Sequence, residues 1–402
     1  IDTLSPASLR SMVMFNSQAI ITKADSEFVQ SKFNSNESWQ DFSCKTKGHY
    51  LRVLAATDDY LYSLNNCSDD FRQLIRHDKN GQHMAFDKQL SGTRDVEWVL
   101  FDKTTGEAAL AYQEITGVVA LMPDYQWLAQ SLAKLDGRIQ LATANRFIQN
   151  NGNYLFKLSN VYGESFYLYQ ADQQTAQAST KQSVRPSIKL IEAGQLVNSA
   201  DFYQPHAEEI ALTMPQGHKV YAYLNKNEIK PVKGAVLLIH GGPRQRVHNQ
   251  FDPMLSMLLD RGYAVLNLNY SGSIGYGRQY TERAKNNISL MVNEITTAFK
   301  WLEDNLNLPA DKIVLMGGSF GGFLSLIADK NLANQCTVSY SGVYDLVATN
   351  QQIPGNRPTV FEHFVADKNE LEQGLWDEYS PLQFDQQSSS NKLIVHGTQD
   401  YI

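Results

Sequence analysis

The 402 residues include 43% hydrophobic side chains, enough for two domains with real cores, and no apolar run approaches the ~18 residues that a membrane span needs. A net charge of −7 with 19% charged residues excludes the strongly basic surface of a nucleic-acid binder and gives no reason to expect attraction to an anionic membrane. The cysteines are Cys44, Cys67 and Cys336. They make no disulfide framework and are read as free thiols, with a Cys44–Cys67 pair left open for an exported protein. No metal-ligand spacing links Cys, His and acidic residues, so neither metal nor cofactor is expected. The chain opens on Ile1 without a charged and apolar leader pattern, and its compartment is left open.

Short strands separated by turn signals fill residues 1–200. Strands are expected at 50–56 and 60–64 around Asp58-Asp59, and at 71–76 and 83–86 around Lys79-Asn80-Gly81. Others are expected at 96–101 and 108–112 around Thr105-Gly106, then at 154–158 and 165–169. Alternating aromatic and β-branched residues with Asn-Gly or Asp-rich punctuation predict antiparallel hairpins, assembled as a sandwich or as propeller blades. One helix interrupts them at 125–135, with Asp124 as its cap and Trp127, Leu128, Leu132 and Leu135 on one face. Residues 172–184 read as a hairpin tip and 186–205 as the passage to a second domain.

From residue 201 the pattern becomes strands alternating with helices. A hairpin at 209–214 and 219–225 is followed by buried strands at 235–239, 263–268, 313–316, 337–340 and 392–395. Helices are expected at 253–260, at 288–306 and from about 320. Ile288, Met291, Val292, Ile295, Phe299, Leu302 and Leu306 form the apolar stripe of the long one. Apolar strands buried on both faces predict a mostly parallel sheet in a three-layer α/β domain, whose chemistry gathers at the carboxyl ends of the strands.

Three such ends carry candidate residues. Gly317-x-Ser319-x-Gly321, between a strand and a helix, is the pattern of a nucleophile elbow, where small neighbours allow serine a strained backbone. His240-Gly241-Gly242-Pro243 follows the strand at 235–239. Acyl transfer develops negative charge on a carbonyl oxygen, and each preorganised backbone donor there contributes ~3 kcal/mol. The N–H groups of Gly241 and Phe320 are the candidate donors. After the last strand comes His396-Gly397-Thr398-Gln399-Asp400, where Asp400 can orient a catalytic histidine.

These motifs, with Arg261-Gly-Tyr-Ala-Val265, Asn269-Tyr-Ser-Gly-Ser-x-Gly-Tyr-Gly277 and Tyr379-Ser-Pro-Leu382, resemble the prolyl oligopeptidase family of serine peptidases, especially its acylaminoacyl-peptidase-like branch. The resemblance covers residues 201–402 and is weaker over 1–200. It implies an α/β-hydrolase domain at 201–402 preceded by a β-propeller, incomplete here, at 1–200. It also implies Ser319 as nucleophile, Asp400 as triad acid, Gly241 and Phe320 as oxyanion donors, and His240 as the residue shaping that hole. Peptides are the implied partner, and homo-oligomerisation is left open.

Two departures stand out. Ser271 occupies the position where the family pattern carries arginine, which is expected to change local packing rather than the reaction. The catalytic histidine of such enzymes lies a few tens of residues beyond the acid, past Ile402, together with a last sheet strand. Of the histidines present, His396 belongs to the loop scaffold, His240 to the oxyanion turn, and His363 cannot be placed. About 200 residues are also too few for some seven blades at roughly 40 residues each. The sequence therefore reads as an internal, inactive fragment of a longer peptidase, with the strand at 392–395 left as an apolar edge. An esterase of the same fold and a non-catalytic binding protein are the alternatives. Glu208-Glu209 is read as solvated rather than as an amine anchor, and no peptide-end preference is assigned.

Overall fold

The computed structural model describes residues 9–15, 18–24, 29–32, 51–57, 59–78, 83–86, 90, 92–102, 104–114, 116–135, 137–142, 153–160, 163–170, 187–193, 205–345, 349, 379–383 and 390–400. His363 and Cys44 lie outside them. The chain forms two compact units, one of Ile1–Asn160, Glu164–Gly194 and Gly275–Arg278, the other of Val161–Gly163, Gln195–Ile274 and Gln279–Ile402.

The first unit is built from small antiparallel sheets. They are β1 (Leu9–Phe15), β2 (Gln18–Ala24) and β3 (Val29–Lys32); β4 (Leu51–Ala56), β5 (Tyr60–Asn65), β6 (Gln73–Asp78) and β7 (His83–Ala85); β8 (Trp98–Phe101), β9 (Ala108–Gln113) and β10 (Gly117–Ala120); and β11 (Arg138–Leu141), β12 (Tyr154–Asn160), β13 (Gly163–Gln170) and β14 (Ser187–Ala193). Their faces explain the packing. Along β8, Trp98 and Leu100 join Tyr154, Phe156 and Tyr169 of the following sheet in one core, while Val99 and Phe101 join Tyr62, Leu64 and Leu74 of the preceding sheet in another. Side chains that alternate across a strand thus serve two neighbouring sheets, and all of β8 and β9 is buried. Sheets of three or four strands stacked face to face are the arrangement of propeller blades.

Three details differ from expectation. Helix α1 spans only Gln126–Leu132, entered through a 3-10 turn at Pro123–Tyr125, and its N-cap Tyr125 makes no side-chain capping bond. Asp124 sits within that turn instead of capping α1. Leu128, Ala129 and Leu132 face the core while Trp127, ~100° around the helix from Leu128, is 42% exposed. The passage expected at 186–205 begins with strand β14, paired with β13. Cys67 is disulfide-bonded, against the free-thiol reading, whereas Cys336 is free.

The second unit is a seven-stranded sheet, β15 (Pro205–Thr213), β16 (Lys219–Asn227), β17 (Gly234–Ile239), β18 (Tyr263–Asn269), β19 (Ile313–Gly318), β20 (Cys336–Tyr340) and β21 (Asn391–Val395), in the order β15-β16-β18-β17-β19-β20-β21. The β15–β16 hairpin joins β18 antiparallel, and the other pairs are parallel. Helices α2 (Pro253–Asp260), α3 (Arg278–Glu282), α4 (Ile288–Leu306) and α5 (Phe320–Asp329) connect them. Strand alternation again divides the core. Ala235, Leu237 and Ile239 pack with α4 and α5, while Val236 and Leu238 pack with Leu255 and Leu259 of α2 on the opposite face. This is a three-layer α/β-hydrolase architecture. Strand β21 ends the sheet order among the described residues, with Leu393, Ile394 and Val395 each about half exposed. No helix among the described residues is long and apolar enough to cross a membrane.

Candidate active site

Strands β17, β19, β20 and β21 run parallel, so the loops after them emerge at one edge of the sheet. Ser319 is the residue between β19 and α5, with φ 51° and ψ −123°, and it is exposed. A left-handed φ is costly for serine, by ~1–3 kcal/mol, and persists only where the surroundings enforce it. Here they do. Ser319 donates its N–H to Tyr340 O at 3.0 Å, and its carbonyl accepts from Phe323 N–H at 3.1 Å. A Cβ on Gly321 would run into the Ile239 carbonyl, and one on Gly317 into Gly321 itself, so the turn closes this tightly only with glycine at both positions.

Gly241 passes directly beside the elbow. A methyl group there would lie 3.2 Å from Gly318 O and 3.4 Å from Ser319 Cβ. Phe320 opens α5 and is 1% exposed, so its N–H belongs to the first helical turn, whose donors point out of the helix end. The structure thus brings Ser319, Gly241 and Phe320 together. The half-buried His240 stacks its ring on Tyr270 at 4.5 Å between centroids. Its Nδ1 lies 2.6 Å from Gly241 O and its Nε2 2.9 Å from Ser273 Oγ. Burial pushes its pKa down from 6.5 to about 4, opposed by the contact with the Gly241 carbonyl.

Asp400 lies in the loop after β21, where its N–H donates to Gly397 O at 3.1 Å and its Oδ2 lies 3.8 Å from His396 Nε2. That loop is tied to the one after β20, because Ser341 N–H donates to Val395 O at 2.7 Å and Tyr344 meets the His396 ring edge-on at 5.7 Å.

A second tier of polar groups beneath the site was not found in the sequence. Glu294, 1% exposed on α4, accepts from Ser271 N–H, Ser271 Oγ and His218 Nε2. Its signal was a carboxylate on the apolar stripe of the long helix. Asp329, fully buried at the end of α5, accepts from Thr337 Oγ1 and Ser390 Oγ, each at 2.5 Å, with Lys392 Nζ 3.7 Å from its other oxygen. Glu208 and Glu209 are exposed on β15.

Residues 249–402 match the family model described as "Prolyl oligopeptidase family". Dipeptidyl peptidase family member 6 of Caenorhabditis elegans is 31% identical over 198 residues, which cover 46% of this chain and 26% of that protein. Acylamino-acid-releasing enzyme 1 of Oryza sativa subsp. japonica is 34% identical over 91 residues, 22% of this chain and 12% of the relative. Among solved structures, a puromycin-hydrolyzing peptidase of Mycobacterium tuberculosis superposes with a TM-score of 0.70 at 17% identity, over 97% of this chain and 61% of its own. The acylaminoacyl peptidase of Pyrococcus horikoshii gives 0.66 at 12%, with the same coverage. The chain thus spans about a quarter of the worm relative's length and three fifths of the two solved chains. The structural likeness establishes the fold, and within it residues 249–402 are similar to the prolyl oligopeptidase family.

Proposed function

We propose that the protein is a serine peptidase that cleaves peptide bonds through an acyl-enzyme. The observation that carries this reading is Ser319, exposed and held at φ 51° on a strand-to-helix elbow. Its Oγ attacks the scissile carbonyl, and the N–H groups of Gly241 and Phe320 receive the developing oxyanion. A histidine takes the serine proton, returns it to the leaving amine, and has its tautomer fixed by Asp400.

Strand spacing supports a bridging base. β19 and β21 are separated by β20, about 10 Å across two strand spacings. An imidazole with a hydrogen bond at each nitrogen spans about 8 Å, the right order to link the two loops. His240 is a poor candidate, since both its ring nitrogens are engaged. His396 already lies beside Asp400, on the same loop. We assign the base to neither of these two histidines. Relatives named for dipeptidyl peptidase and acylamino-acid-releasing activities make oligopeptide amides the substrate class to test.

The test is turnover of aminoacyl p-nitroanilides and p-nitrophenyl esters by the protein in its full natural length, with and without Ser319→Ala. Amide cleavage that falls by about 10⁶ in the variant is the expected result. Ester turnover without amide cleavage would make the protein an esterase, and no turnover of either would leave it a binding protein.

A further inference from the structure

Glu294 presents a problem that its hydrogen bonds answer. It lies on α4 among Met291, Val292, Ile295 and Ala298, all buried, where an ionised carboxylate is several kcal/mol less favourable than in water unless fully partnered. Its Oε2 accepts Ser271 N–H at 2.7 Å. Its Oε1 accepts Ser271 Oγ at 2.6 Å and His218 Nε2 at 2.7 Å. Arg283 then donates to Ser271 Oγ at 3.3 Å. His218, on the β15–β16 turn, is held there as Met214 N–H donates to its carbonyl at 2.8 Å.

What this carboxylate grips is the turn that supports the oxyanion loop. Ser271 is followed by Ser273, whose Oγ meets His240 Nε2 at 2.9 Å. It is preceded by Tyr270, whose hydroxyl donates to His240 O at 2.9 Å while its ring stacks on the imidazole. Burial, and then the charge of Glu294, hold the Tyr270 phenol well above its usual pKa, so it stays a donor. His240 is therefore fixed at its carbonyl, its ring face and Nε2 by residues on both sides of Ser271. The next residue, Gly241, is the one that passes beside Ser319.

We propose that Glu294 and His218 are positioning residues: through Ser271 they set the 270–273 turn, and through it the height of the Gly241 N–H over Ser319. The inference rests on the peptidase reading given above. It also gives Ser271, which stands where the family pattern has arginine, a part in the reaction beyond local packing. A short hydroxyl and its own N–H fill the carboxylate from one side, and the histidine of a neighbouring turn completes it.

The test is steady-state kinetics of the full-length protein on an aminoacyl p-nitroanilide, wild type first, then His218→Leu, His218→Gln and Glu294→Gln. An oxyanion donor acts in the transition state, so a displaced Gly241 lowers kcat and kcat/KM together and leaves KM within about twofold. The account predicts kcat about tenfold lower in His218→Leu, largely recovered in His218→Gln, which keeps an N–H donor, and about 100-fold lower in Glu294→Gln. Variants that melt earlier yet keep wild-type kcat, or that raise KM alone, would overturn it. Should Glu294→Gln fail to fold, the His218 pair decides, because that side chain is 14% exposed on a turn. A wild type without turnover overturns the peptidase reading, and this one with it. An active wild type with unaffected variants overturns this one alone.

Discussion

Ser319 and its neighbours are held by contacts that leave little room for change. A side chain at Gly321 would meet the Ile239 carbonyl, so Gly321→Ala must push the elbow away from the end of β17. Overpacking of this kind is expected to destabilise the fold by about 1–3 kcal/mol, read as a lower denaturation midpoint, and to slow Ser319 chemistry more than the stability loss explains. His240 gives a pH-dependent counterpart. Its pKa is about 4 in the folded protein against 6.5 ordinarily, so the native ring stays neutral where the unfolded one takes up a proton. The stability this represents is intact above pH 6.5 and declines as pH falls toward 4, with no further change below. The thermal midpoint of wild type should therefore drop across that window more steeply than that of His240→Asn. Parallel curves would refute the assignment.

At the scale of elements, the site depends on how strand ends are held in register. Asp329 closes α5, the C-terminal end where the helix dipole disfavours a carboxylate, yet it is fully buried there. Its bonds explain it: Thr337 on β20, Ser390 beside β21 and Lys392 within β21 all converge on it. One carboxylate thus ties α5, the helix that follows Ser319, to the strand that leads into the Asp400 loop. Asp329→Asn relieves the dipole but loses charge-assisted bonds, and the second effect is the larger at about 1–3 kcal/mol. Chemical denaturation should show that loss. An unchanged or raised midpoint would mean that the helix end, rather than the strand, dominates.

Over the whole molecule, the sequence was most legible where its physical signals were strongest. Continuous apolar strands and a seven-residue stripe marked α4 to its end residues, and the glycines around Ser319 marked the elbow because no other residue fits. The first unit was harder to read. β10 and β11 are only four residues long, too short for a period to stand out, and β14 fell within a stretch read as linker. Trp127 was assigned to a buried face because it is large and apolar, although its angular position put it outside. Glu294 and Asp329 were missed for the opposite reason. Each is a single acid in an apolar pattern, and its partners come from distant segments such as His218, Ser271 and Ser390.

The reading of the whole rests on Ser319 as the nucleophile. Incubating the full-length protein with a fluorophosphonate and mapping the adduct by mass spectrometry tests this directly. The account predicts one adduct, on the Ser319 hydroxyl, and none in Ser319→Ala. Labelling that survives that substitution, or an adduct on another residue, would contradict it.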